Sequence, residues 1–178
     1  VYSKSKKRWE LHLVCKHEAE TPDAPGTETA GIDLGICNFA AVAYSTEEAD
    51  LYPGNRLKQD GYYFPKEIAK CDDSGGFEAT RLHHKWSERR AHFFHALAKH
   101  IVEGCIVRGV GRITIGKLEG VREDERGEVK NWGRHGNLDL HGWAFDRFAK
   151  ILTYKAKVEG IEVVEVSERD TSKTCCVC

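Results

Sequence analysis

The apolar positions of this chain follow two rhythms, strand-like and helix-like, that take turns along its length. Trp9-Glu10-Leu11-His12-Leu13-Val14-Cys15 alternates apolar and polar side chains, which predicts a half-buried strand. Glu18 to Thr27 is a polar connector. Thr29-Ala30-Gly31-Ile32-Asp33-Leu34-Gly35 is then apolar or small apart from its carboxylate, has no helical period, and predicts a buried strand. Gly35 and Asn38 turn it into a second strand, Phe39 to Tyr44, and a short third strand is expected near Leu51-Tyr52. Pro53-Gly54-Asn55 signals a turn and Ser74-Gly75-Gly76 a break. From Glu78 to about Val107, Leu82, Trp86, Phe93, Leu97 and Ile101 recur at helical spacing. Arg112 to Leu118 reads as another strand, and Val121 to Asn137 as a charged loop. Leu140, Ala144, Phe148, Ile151 or Leu152, and Lys155 form the stripe of a second helix, capped near Asp139 and closed by Gly160. Ile161 to Val166 is the last strand. Strands joined by helical crossovers predict an α/β fold with a mixed sheet.

Composition adds limits. A chain of 178 residues is one domain, with room for a small appendage. The formal net charge of −1 gives no sign of a polyanionic partner, but the cations cluster. Lys4, Lys6, Lys7 and Arg8 open the chain, and Arg81, Lys85, Arg89 and Arg90 lie on the long helix. A local basic stripe matters more for nucleic acid than the total, so these four are candidate phosphate contacts; a solvated face is the other reading. The same helix carries His83, His84, His92, His95 and His100. His92 and His95 could share a face, but no third ligand joins them, and solvated or packed histidines are expected. No apolar run is long enough to span a membrane and no signal peptide is visible. Seven cysteines, three of them in the last four positions, fit reduced thiols and a metal site better than disulfides, which predicts a cytoplasmic protein. The chain opens on Val and contains no Met, as expected of a fragment or processed product.

Two features carry chemistry. Asp33 is a lone carboxylate in an apolar strand, a placement that is costly without a partner. Magnesium or manganese is one such partner, since both favour carboxylate oxygen; capping of a neighbouring loop is the alternative. At the other end Cys175 and Cys178 form a Cys-x-x-Cys pair, half of a tetrahedral zinc site whose other ligands would follow Cys178. A thiol-bearing tail without zinc is the competing reading.

Gly31-Ile32-Asp33-Leu34-Gly35, Phe94-His95-Ala96-Leu97, Tyr154-Lys155-Ala156 and Thr171-Ser172-Lys173-Thr174-Cys175 occur in that order. Together they resemble the transposon-encoded TnpB (OrfB) family, related to the type V CRISPR effectors, over nearly the whole chain. The resemblance implies an RNase H-like (RuvC-type) core over residues 29–167. A strand and connector of a preceding domain would occupy 1–28, and a truncated zinc ribbon would begin at 168–178. It also implies DNA and a guide RNA as partners, and cleavage of DNA by three carboxylates that hold two magnesium or manganese ions. Asp33 matches the first carboxylate. The family's Glu-x-Leu pattern, aligned on Leu118, puts Gly116 where the second should stand, so Glu119 becomes the candidate, provided the strand ends or bulges after Gly116. The third is expected beyond Cys178; Glu168 and Asp170 could substitute, but ordinary polar residues leading into the ribbon are the expected reading of both. The expected function is that of a TnpB-like DNA endonuclease core, inactive in this form. A nuclease-dead nucleic-acid-binding protein and an RNase H-like DNA transposase are the alternatives.

Overall fold

The computed structural model describes residues 1–3, 6–15, 21–35, 38–71, 76–117 and 145–167. In chain order the elements are β1 (Tyr2–Ser3), β2 (Arg8–Trp9), β3 (Glu28–Leu34), β4 (Asn38–Tyr44), β5 (Ala49–Pro53), α1 (Asn55–Ile68), α2 (Phe77–Val107), β6 (Val110–Lys117), α3 (Phe145–Val158) and β7 (Glu162–Ser167). Strands β3 to β7 make one sheet in the order β5-β4-β3-β6-β7, and β1 and β2 pair separately. β4 runs antiparallel to β3 and β5, while β3, β6 and β7 are parallel. Parallel neighbours need crossover connections. Helices α1 and α2 lie between β5 and β6 in the chain, and α3 between β6 and β7. This is the RNase H-like mixed sheet that the resemblance implies.

Side-chain alternation decides which face is covered. Ala30, Ile32 and Leu34 of β3 and Ile113 and Ile115 of β6 are buried, and they share one core with Phe94, Leu97, Ala98 and Ile101 of α2 and Phe148, Ile151 and Leu152 of α3. At the start of β4 the pairing with β5 shifts register between Asn38 and Ala40. That irregularity lets Phe39 and Ala40 both turn inward. Phe39 is fully buried, with ring centroids of Phe148 at 5.0 Å, Phe94 and Phe145 at 5.5 Å and Phe93 at 5.6 Å. At the far end of β4, Asp50 accepts hydrogen bonds from the Tyr44 and Tyr52 hydroxyls at 3.0 and 3.4 Å. Burial, then the bond to Asp50, pushes the Tyr44 phenol well above its usual range. Arg108 covers the Tyr44 ring at 4.3 Å and pairs with Glu48, tying the β4–β5 hairpin to the end of α2. The chain enters β7 through Gly160 at φ +74, where a Cβ would collide with the Pro22 carbonyl, so this position needs glycine twice over.

Two expectations are corrected. Trp9 to Cys15 is not a half-buried strand: β2 stops at Trp9, and Leu11, Leu13 and Val14 are 84, 80 and 96% exposed. Alternation alone does not make a strand where no neighbour supplies the ladder. Helix α1 was not expected, because Pro53-Gly54-Asn55 reads as a turn and Gly61 and Pro65 lie inside the helix. Its signal was the spacing of Leu57, Asp60 and Phe64, the three residues it buries. Asp60 is only 8% exposed and accepts two bonds from Arg89 of α2, Nε at 2.8 Å and Nη2 at 2.9 Å. Asp60→Ala should lower the unfolding free energy by about 1 to 3 kcal/mol, with the Arg89 side chain's partial exposure keeping the loss below that of a fully buried pair. Urea denaturation checks this, and Asp60→Asn, which keeps one acceptor oxygen, should cost less.

Candidate functional site

Asp33 stands near the carboxyl end of β3, but on the exposed face of the strand, between buried Ile32 and Leu34. The expectation of a buried carboxylate is therefore corrected: β3 buries one face only, and desolvation gives Asp33 no need of a counter-ion. Its interest lies in position. Asp33 pairs with Ala41, and Ala41 with Leu51. Ile32 pairs with Ile115, so the next step along β6 brings Gly116 beside Asp33, and Gly116 pairs with Val166. One row across the open face thus reads Leu51, Ala41, Asp33, Gly116, Val166, with a single charge. Gly31, Ala43, Ala49 and Thr114 flank this row and with it line a shallow depression of about 470 Å³. A Cβ added at Gly31 would meet nothing within 4 Å, so the floor there is open backbone.

The described part of β6 runs to Lys117, two residues short of Glu119. β6 neither ends nor bulges at Gly116, since pairing with β7 continues unbroken through Gly116↔Val166 and Lys117↔Ser167. Glu119 itself lies outside the described residues, as do Glu168, Asp170, Cys175 and Cys178. Among the described residues no three His, Cys, Asp or Glu side chains come together as a metal site. The Asp33 row therefore does not fit a two-metal centre by itself, which needs several carboxylates around ions about 4 Å apart. On the covered side of the same strand ends, Asp146 and Lys150 of α3 and Glu165 of β7 line a second depression of about 260 Å³ with Leu34, Ile115 and Gly116.

The four candidate phosphate contacts are not brought together as one free stripe. Arg89 is held by Asp60. Arg81 donates to Glu78 from Nε at 3.0 Å. Arg90 is half-buried, 5.7 Å from the centroid of Trp86; burial, then the nearby Arg147, lowers its pKa. Lys85 is exposed. Of the histidines, His84 reaches Glu88 at 3.2 Å, and His95 Nδ1 lies 3.1 Å from the Tyr154 hydroxyl. The cations that sequence reading missed are on α3, where Arg147, Lys150 and Lys157 are exposed. Their signal was the outer half of a stripe followed only along its inner positions.

Comparison with known proteins bears on this geometry. The family model OrfB_IS605, described as a probable transposase, matches residues 12–122, and the Cas12f1-like TNB domain matches 145–178. The TnpB-like protein ORF457 of Acidianus two-tailed virus is 30% identical over 165 residues, covering 84% of this chain and 34% of that protein. The CRISPR-associated endodeoxyribonuclease Cas12f1 of Sulfoacidibacillus thermotolerans is 22% identical over 194 residues, covering 100% of this chain and 43% of its own length. A cryo-EM structure of a Cas12f1–sgRNA–target DNA complex superimposes with a TM-score of 0.62 at 21% identity, over 90% of this chain and 40% of that one. The chain thus spans about a third to a half of the length of ORF457, of that Cas12f1 and of a TnpB-like protein of Methanocaldococcus jannaschii, and no helix among the described residues is long and apolar enough to cross a membrane. With the matched region running from before β3 to beyond β6, and so containing both Asp33 and Gly116, this chain belongs to the OrfB_IS605 family of probable transposases, the TnpB-like proteins.

Proposed function

We propose that this chain is the RuvC-type core of a TnpB-like protein that engages DNA, directed in the longer protein by a guide RNA, and that in this form it holds DNA without cutting it. One observation carries the second half: Gly116 stands beside Asp33 on an unbroken strand, where the family pattern calls for glutamate. Hydrolysis of a phosphodiester by two cations needs carboxylates on both sides of them. A row of Leu51, Ala41, Asp33, Gly116 and Val166 offers one. Magnesium or manganese, when bound, would polarise the phosphate and activate water; from this row only Asp33 would hold it. Zinc at Cys175 and Cys178 remains part of the proposal for the longer protein.

The nucleic-acid half rests on kinship. The similar solved structure is named as a complex with sgRNA and target DNA, and the curated relative as an endodeoxyribonuclease. Incubating 5′-labelled single-stranded DNA with the chain in manganese, then running native and denaturing gels, tests both halves. A retarded oligonucleotide that stays full length is the expected result. Products that appear with the parent chain and vanish with Asp33→Ala would overturn the binding-only reading in favour of a working nuclease. No retardation at any protein concentration would remove DNA engagement.

A further inference from the structure

Helix α3 packs inward through Phe148, Ile151, Leu152 and Ala156. The helical period then forces Arg147, Lys150, Tyr154 and Lys157 onto the opposite side, and all four are exposed. The helix carries Arg147, Lys150, Lys155 and Lys157 against a single acid, Asp146 in its first turn. Among the described residues, no carboxylate lies within ion-pairing distance of Arg147, Lys150 or Lys157. The contrast with α2 is direct, since Arg81 and Arg89 there are held by Glu78 and Asp60.

Two further observations point to an anionic strand with bases. Tyr154 is 48% exposed, and its ring is held by the hydrogen bond between its hydroxyl and His95, so ordering it for a ligand costs little entropy. The Lys155 ammonium lies 5.6 Å from the same ring centroid, keeping a cation beside the stacking surface. The stripe from 147 to 157 is about 15 Å long at 1.5 Å per residue. Its first turn borders the depression that Lys150 and Gly116 line together, on the covered side of the strand ends whose open face carries Asp33.

Resting on the DNA engagement proposed above, we propose that single-stranded DNA runs along α3, with Arg147, Lys150 and Lys157 on its phosphates and one base against Tyr154. A ring standing on a helix surface can take only a base that is free of a duplex stack, which selects single strands.

The test is fluorescence anisotropy of the intact chain with labelled oligo(dT), an abasic DNA of equal length, the corresponding duplex and oligo(U), across a salt series. Replacing all three cations (Arg147→Gln, Lys150→Gln, Lys157→Gln) should flatten the log–log salt dependence by about two units, three contacts at about 0.7 each. Tyr154→Ala should weaken oligo(dT) by roughly tenfold or more and leave the abasic strand unchanged, whereas Tyr154→Phe, which keeps the stacking ring and loses only its bond to His95, should retain most of the affinity. Lys85→Gln on α2 should leave the slope as it was. An unchanged slope in the triple variant, with native circular dichroism, overturns the α3 track while leaving DNA engagement standing. Tighter binding of the duplex or of oligo(U) overturns the assignment to single-stranded DNA. A parent chain that binds none of the probes removes both proposals at once.

Discussion

Gly116→Glu should raise this protein's calorimetric affinity for manganese by about tenfold to a hundredfold. A carboxylate at 116 would extend from the strand position next to Asp33, on the same open face. A unit negative charge about 4 Å from a divalent cation is worth on the order of 8 kcal/mol at the effective dielectric of a protein surface. Dehydration of the ion and repulsion between the carboxylates take back most of that. A net gain of about 1.4 to 2.8 kcal/mol corresponds to the stated range. Asp33→Ala in the Gly116→Glu background should return the affinity to the parent level. If the gain survives loss of Asp33, the new carboxylate has found other ligands, and the pairing of 33 with 116 is not the reason.

Phe39→Ala should be the most destabilising single substitution of the core, at about 3 to 5 kcal/mol, because it empties the centre of a five-ring cluster that cannot readily collapse. Phe39 joins the first residue pairs of β4 to α2 and α3, so the loss should appear as one cooperative shift in the denaturation midpoint. It should also reach the candidate site. The Gly35 N–H donates to the Phe39 carbonyl at 3.3 Å, just beyond Asp33. Phe39→Leu, which keeps most of the volume, should recover more than half of the stability. Thermal and urea unfolding of the three proteins decide this, and a Phe39→Ala loss under about 1 kcal/mol would mean that the cluster contributes little.

The long and strongly periodic elements were legible in the sequence. Helix α2 occupies Phe77–Val107 where Glu78 to about Val107 was expected, and β6 and β7 fall within two residues of their predicted bounds. Strands β3 and β4 were visible as strands, but which of their faces is open was not. The open face is made of Gly31, Ala41 and Ala43, whose small apolar side chains look the same to a pattern reader as buried Ala30 and Ala40. A burial argument for Asp33 followed from that ambiguity and fails with it, although Asp33 itself stays the one charge in its row. Helix α1 was hidden by Gly61 and Pro65, and with it the partner of Arg89. A cation whose acceptor lies 29 residues away, on an unrecognised helix, looks free in sequence. The α3 stripe was overlooked for a related reason: inner positions announce a helix, and its outer ones are noticed only once the inner ones are placed.

The juxtaposition of Asp33 and Gly116 on one open face is tested most directly by anomalous scattering from manganese in crystals of the Gly116→Glu protein. One ion is predicted between the carboxylates at 33 and 116, with ligand oxygens at roughly 2.0 to 2.6 Å, and none in crystals of Asp33→Ala carrying the same substitution. Manganese bound elsewhere, or the two carboxylates on opposite faces of the sheet, would contradict it.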